Sequence, residues 1–331
     1  MQTPNTGTNE ITYREAIAAA LQEEMRRDPK TLIMGEDIGP SGGPFKTCQG
    51  LYEEFGHARV RDTPIAETGF VGAALGLAIT GYRPIVEIMF ADFLGVCFDQ
   101  IVNGIAKHRF MSGGQFAVPV TIRAIGGAGL RFGPQHSTTA ESWFMSVPGL
   151  KIVCPSTPAE AYGMLKSAIR DDDPVLVLEH KALLSSKGQV PVGSDATQPL
   201  TGPRVLRPGR DATVVASLAM VPRALAAGEK LAAEGIEAEI IDIRALRPMD
   251  LTPVFESVRR TNNLVTVEEQ AKLGGWGAEV AAQVTSEAFD HLDSPPLRVG
   301  LPEYPVPYSP PLEDSVLPSP DAIAAAVKSL L

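Results

Sequence analysis

Three segments carry residues whose types and spacing could do chemistry. In DTPIAETGFVGAALGLAITG (Asp62 to Gly81), a single carboxylate, Glu67, stands where an apolar strand gives way to a helix of mostly glycine and alanine. A carboxyl buried at such a junction has its pKa raised toward neutrality, which suits a group that passes a proton at pH 7. A first-turn glutamate resting on the helix dipole explains the same residue without chemistry. Gly69, Ala73, Gly76 and Thr80 recur every three or four residues, so one face of that helix is nearly flat and can lie close against another backbone. In FGPQHSTTAESWF (Phe132 to Phe144), His136 sits on a Gly/Pro loop shortly before Thr138, with Glu141 three residues further on. The spacing predicts a capping box and a helix entry, where a histidine can meet a ligand. In IMFADFLGVCFDQIVN (Ile88 to Asn103), Met89 and Phe93 flank a strand end. A thioether and an aromatic plane there could sandwich a flat heterocycle, or simply pack the core.

The elements that must position these groups alternate between strand and helix. TYREAIAAALQEEMRR (Thr12 to Arg27) has helical apolar spacing, with Thr12 and Glu15 as a capping box. TLIMGED, RVRDTPI, PIVEIM, PVTIRAI, LKIVCP and PVLVLEH read as short buried strands, and helical stretches separate most of them. Buried strands alternating with helices predict an α/β fold with parallel sheets covered on both faces. The pattern breaks at KGQVPVGSDATQPLTGPRVLRP and then resumes through ATVVASLAM, EAEIIDI, NLVTVEE and PLRVGLP. The expectation is two domains, 11–187 and 209–331, joined by a linker at 188–208. LPEYPVPYSPP (Leu301 to Pro311) reads as a proline-dense loop before a last helix from Asp321 to Leu331.

Composition narrows the function classes. The 331 residues include 39 acidic and 29 basic side chains, a formal net charge of −10. A surface of that sign repels phosphate backbones and anionic lipid, so neither nucleic acid nor membrane is expected as a partner. The N-terminal MQTPNTGTNEI is polar and has no apolar signal core. Three widely spaced cysteines, Cys48, Cys97 and Cys154, form no CxxC pair, which suits a reducing cytoplasm. GxxxxGK[ST] and HExxH are absent, and GGAG at Gly126 to Gly129 lacks the spacing of a dinucleotide fingerprint.

Linked motifs then carry a resemblance. DTPIAE, EIMFADF with DQIVN, SGGQ, QHS before WF, PGLKIV, DDDPVLVLEHK, VEE with GGWGAEVAA, and PEYPVPY follow one another in the order of a known family. The chain resembles the β subunit of the thiamine-diphosphate-dependent first component of 2-oxoacid dehydrogenase complexes, a transketolase-like group that includes pyruvate, branched-chain 2-oxoacid and acetoin dehydrogenases. The resemblance implies a pyrimidine-binding domain followed by a transketolase C-terminal domain. It makes Glu67 the glutamate that hydrogen-bonds N1′ of the cofactor's aminopyrimidine and so promotes loss of the C2 proton. It places Ile65, Met89 and Phe93 around the pyrimidine, and His136 near the 2-oxoacid and the arriving lipoyl group. Val120, Ala168, Ile169, Asp171 and Asp173 match positions that bind a structural potassium ion in relatives. An asparagine is common at the last of these. No GDG segment occurs in the sequence. Mg²⁺ and the diphosphate are therefore expected on a partner α subunit, in an α2β2 heterotetramer whose β C-terminal domain docks the lipoyl acyltransferase. The activity implied is decarboxylation of a 2-oxoacid, pyruvate first, with acyl transfer to a lipoyl arm. Acetoin cleavage and a branched-chain substrate are the alternatives.

Overall fold

The computed structural model describes residues 7–331, so part of the polar N-terminal segment lies outside the described residues. Two compact units emerge. One comprises the chain up to Gly126 with Ser146–Leu200, the other Gly127–Met145 with Thr201–Leu331. The division at 200/201 falls inside the stretch expected as a linker. That stretch is not structureless, because both of its ends are strand. Residues 127–145, counted with the first domain on sequence, fold with the second unit.

The first unit opens with β1 (Asn9–Thr12) and α1 (Tyr13–Arg27). The Glu15 amide donates to the Thr12 hydroxyl at 3.2 Å and the Thr12 amide to the Glu15 carboxylate at 2.8 Å, the reciprocal cap that the sequence spells. The chain continues through β2 (Thr31–Gly35), α2 (Leu51–Phe55), β3 (Val60–Asp62), α3 (Glu67–Ile79) and β4 (Arg83–Ile88). After β4 the chain runs through a 3₁₀ turn at Ala91–Gly95, a π-helical stretch at Gln100–Ile105 and the short α4 (Ala106–Met111). Then follow β5 (Thr121–Gly126), β6 (Lys151–Val153), α5 (Pro158–Arg170), β7 (Val175–His180) and β8 (Lys187–Val190). β8 pairs antiparallel with β1, so it is part of this unit.

Six strands of this unit lie side by side in the order β6-β7-β5-β4-β2-β3, every neighbour parallel. Strand β2 leads outward to β3 on one side, whereas β4 leads to β5 on the other. The order therefore reverses between β2 and β4, and the crevice beyond the carboxyl ends of such strands is where open α/β sheets bind ligands. Buried Arg123 on β5 ties the sheet centre together. Its guanidinium donates to Glu87 on β4 at 2.6 Å and to both Glu179 oxygens on β7 at 2.8 Å. Outside the sheet, α1 packs on α5, and Glu24 receives two bonds from Arg170 at 2.9 and 2.6 Å.

The second unit holds β9 (Arg204–Arg207), β10 (Ala212–Ala216), α6 (Met220–Ala233), β11 (Ala238–Asp242), β12 (Ala245–Arg247), α7 (Thr252–Thr261), β13 (Leu264–Ala271), α8 (Trp276–Ala288), β14 (Leu297–Leu301), α9 (Pro310–Val316) and α10 (Pro320–Lys328). Its sheet runs β14-β13-β10-β11-β9, parallel except for the antiparallel edge strand β9. The proline-dense loop is irregular from Pro302 to Ser309, and a short helix starts at its last two residues. Pro310 and Pro311 fill the first positions of α9, where a missing N–H costs nothing. No helix among the described residues is long and apolar enough to cross a membrane.

Candidate active site

Glu67, Met89 and Phe93 gather where the sheet topology reverses. Met89 is the first residue beyond β4, and Phe93 sits one 3₁₀ turn later; both are half-buried. Glu67 opens α3, five residues after β3, and is 6% exposed. The Gly35 carbonyl accepts from Thr63, and the Asp62 carboxylate accepts from Gly39 at 2.7 Å, which fixes the β3–α3 connection against the glycine-rich loop. A Cβ at Gly39 would lie 2.4 Å from an Asp62 oxygen, so a larger residue there would have to push that carboxylate off the Gly39 amide. Thr68, next to Glu67, donates to the Val96 carbonyl at 2.8 Å and ties α3 to the helical run after β4. Phe90 stacks edge-on between Phe45 of the glycine-rich loop (5.5 Å) and Phe93 (5.9 Å). Ile65, in the β3–α3 connection, projects into solvent at 86% exposure. The flat helix face is real and outward: Gly69, Ala73, Gly76 and Thr80 are all exposed.

Two neighbours of Glu67 escaped the sequence reading. Glu36 directly follows β2, with one buried carboxyl oxygen that has no hydrogen-bond partner. Burial pushes its carboxyl up, and the charges of Glu67 and Asp37 add to the shift. Cys97 is buried, and that burial, with the Glu67 charge second, pushes its thiol up to about 12. It is an inert thiol at neutral pH. The available signal for Glu36 was its position, an acidic residue immediately after a fully apolar strand.

His136 stands in the second unit, half-buried, within the 127–145 segment. The helix predicted after it does not form. Ser137–Ala140 is irregular, followed by a 3₁₀ turn over Glu141–Phe144 whose N-cap is Ala140, without a side-chain cap. Glu141 therefore does not cap. It turns inward at 1% exposure, and burial pushes its carboxyl up to about 8. Both of its carboxyl oxygens are buried without a hydrogen-bond partner, and the charges of Glu269 and Glu268 add to the shift. A pocket of about 460 Å³ opens in this unit, with Ser137 and Thr138 of the His136 loop on one side and Trp143, Gln270, Leu273 and Tyr304 on others.

The residues expected to hold potassium come together around the α5–β7 turn, but the chain's own cations and amides already occupy them. Arg83 donates to the carbonyls of Ile169 at 3.3 Å and Asp171 at 2.9 Å. Lys151 binds both Asp171 carboxylate oxygens at 2.8 and 2.6 Å, and Arg109 pairs with Asp173. The Val120 carbonyl accepts from Val175, and that of Ala168 from Asp171. Oxygen donors suit a hard cation, yet three positive side chains surround these. Among the described residues, no group of three or more His, Cys, Asp or Glu side chains is arranged to hold a metal ion.

A two-unit α/β chain with a carboxylate at the switch point of its first sheet has the architecture of transketolase-type domains, and comparison with known proteins agrees. The family model for the transketolase pyrimidine binding domain matches residues 9–187, and that for the transketolase C-terminal domain matches 203–323. The pyruvate dehydrogenase E1 component subunit beta of Rhizobium meliloti is 44% identical, over 97% of this chain and 70% of its own length. The acetoin:2,6-dichlorophenolindophenol oxidoreductase subunit beta of Cupriavidus necator is 45% identical over 97% of both chains. A solved split-gene transketolase, described as an inactive beta4 tetramer, superposes with a TM-score of 0.79 at 28% identity, covering 97% of this chain and 98% of that one. The chain belongs to the transketolase-like β subunits of the first component of 2-oxoacid dehydrogenase complexes. That family depends on thiamine diphosphate, and its β subunits work with an α subunit as components of oxidoreductase complexes.

Proposed function

We propose that this chain, with an α subunit, decarboxylates a 2-oxoacid and passes the acyl unit to a lipoyl arm, pyruvate being the substrate. The observation that carries the proposal is Glu67, a buried carboxylate that opens α3 beyond the carboxyl end of β3. Ile65, Met89 and Phe93 would frame a flat aminopyrimidine beside it, and the orphaned Glu36 oxygen belongs to a carboxyl near enough to feel the Glu67 charge. Bound there, thiamine diphosphate would supply an acidic C–H whose carbon is the source of the nucleophile. Glu67 would hold a proton at the pyrimidine ring nitrogen and so make the ring's own amino nitrogen the base that takes up the C–H proton. Met89 and Phe93 orient the ring and keep water from its face. His136 acts on the substrate side, beside the acyl group and its acceptor. Mg²⁺ and the diphosphate go to the α subunit, because no GDG segment is present here. Two α and two β chains make the working enzyme.

Acetoin cleavage is the second reading, favoured by the Cupriavidus necator relative, which matches over 97% of both chains. Co-purification with the α chain, followed by side-by-side assay of pyruvate, branched-chain 2-oxoacids and acetoin with a dye acceptor, separates the readings. Turnover of acetoin alone replaces the pyruvate assignment, and turnover of none of them removes both. Potassium taken up at the 168–173 turn shares the Ile169 and Asp171 carbonyls with Arg83 and acts on stability, not on the reaction. Equal melting temperatures in potassium and choline chloride overturn that role. The three cysteines are free and buried, and the chain is assigned to the cytoplasm on that chemistry; disulfide-linked Cys48, Cys97 or Cys154 in chain isolated from cells would contradict it.

A further inference from the structure

The segment that carries His136 begins with an unusual turn. Gly127, Gly129, Arg131 and Gly133 all have positive φ (90°, 93°, 65° and 75°), with residues of ordinary φ between them. Alternation of this kind points successive amides inward and builds a concavity for an anion. Here the anions are two carboxylates of the same unit. The Ala128 amide donates to Glu269 on β13 at 2.6 Å. The Gly129 amide donates to Glu313 at 2.8 Å and the Arg131 amide to its other oxygen at 3.2 Å. The Arg131 guanidinium closes over Glu313 and reaches Asp314 at 2.9 Å. Glu313, on α9, is completely buried. Further along, the Thr139 hydroxyl donates to the Glu269 carbonyl at 2.6 Å, and the Gln270 amide to the Thr139 carbonyl at 3.0 Å. His136 lies between these two anchored stretches.

We infer that Glu313 is a positioning residue for His136: its carboxylate gathers the Gly129 and Arg131 amides and the Arg131 guanidinium, and so sets the turn from which the histidine loop springs. The inference rests on the assignment of His136 to the substrate side of the reaction. Glu313 touches neither substrate nor cofactor. Glutamine in its place keeps the volume but offers one acceptor oxygen where two were used, and turns an N–H₂ toward a donor that had a partner. A buried amide left without its acceptor opens the local structure.

The test compares Glu313→Gln, His136→Ala and the double variant, each assembled with the α subunit and assayed with whichever of pyruvate or acetoin the wild type turns over. Hydrogen exchange is followed over residues 127–139 in the same preparations. Glu313→Gln should raise exchange across 127–139 at least tenfold and lower kcat about tenfold, with KM within twofold. It should cost nothing further on top of His136→Ala, since residues acting through one another are not additive. Unchanged exchange over 127–139, or effects that multiply in the double variant, overturns the inference. Wild-type turnover by His136→Ala overturns the assignment of His136 instead, while the exchange comparison still judges the Glu313 contact. If Glu313→Gln does not fold, Arg131→Met, which removes only the guanidinium half, takes its place with the same outcomes.

Discussion

Replacing Glu141 by glutamine should flatten the fall of the protein's stability with rising pH and stabilise it most at high pH. Glu141 is 1% exposed in the turn that follows the His136 loop, with Glu269 and Glu268 as acidic neighbours and no hydrogen-bond partner for either carboxyl oxygen. Its folded carboxyl titrates at about 8 against 4.5 when unfolded. Below pH 4.5 both states hold the proton and nothing is lost. Between 4.5 and 8 the folded state keeps a proton that the unfolded state has released, so stability falls as pH rises. Above 8 the full penalty is reached, about 3.5 pKa units at about 1.4 kcal/mol each, or about 5 kcal/mol. About half of that, about 2.5 kcal/mol, falls between pH 6 and pH 9. Glutamine carries no charge at any of these pH values and keeps the shape. Thermal unfolding of both proteins should be followed from pH 6 to pH 9 at constant ionic strength. The wild-type melting temperature should drop by several degrees more than that of Glu141→Gln, at about 2–4 °C per kcal/mol for a chain of this class. The difference between the curves, not either curve alone, carries the result, because every other group is the same in the two proteins. Parallel curves would refute the buried, proton-holding role of Glu141.

Glu67→Gln in the assembled enzyme should slow exchange of the C2 proton of thiamine diphosphate by about two or more orders of magnitude, the scale of a lost acid–base contribution; unchanged exchange makes Glu67 a helix-entry residue only. Arg123→Met leaves the Glu87 and Glu179 carboxylates buried without a counter-charge, so it should cost about 3–5 kcal/mol in urea unfolding. A loss below about 1 kcal/mol would mean that the two acids had simply taken up protons. The exposed acids of the C-terminal unit form the candidate dock for the acyltransferase. Glu287, Asp290 and Asp293 cluster at the end of α8, while Glu279 lies eight residues back, about 12 Å along the helix. Replacing Glu287 and Asp290 by Gln and Asn should lower the association rate with the acyltransferase's binding domain at low salt and flatten its salt dependence, measured by surface plasmon resonance. Identical rates and slopes in the two proteins eliminate this patch.

Much of the molecule could be read along the chain because its causes are local. The Thr12–Glu15 cap needs only four consecutive residues, and a parallel sheet announces itself as apolar runs spaced by helices. Glu67 and His136 stood out because each interrupts a pattern of neighbours. Other features depended on residues far apart in sequence. The β1–β8 pair joins positions nearly 180 residues apart, so no window could contain both. Thr138 and Glu141 have the spacing of a cap, but burial beside β13 draws the glutamate inward, and tertiary packing outweighs a local bond of about 1 kcal/mol. The positions expected to hold potassium carry oxygen atoms, yet only the folded chain brings Arg83, Lys151 and Arg109 onto them. The same reason hid Glu313. It lies in a stretch dominated by proline, and its meaning comes from amides some 180 residues earlier. Residue types and short spacings determined which groups can carry protons. Which of those groups meet was decided by the sheet order and by the packing of segment 127–145 on β13 and α9, since contact across the sequence exists only once the chain has folded.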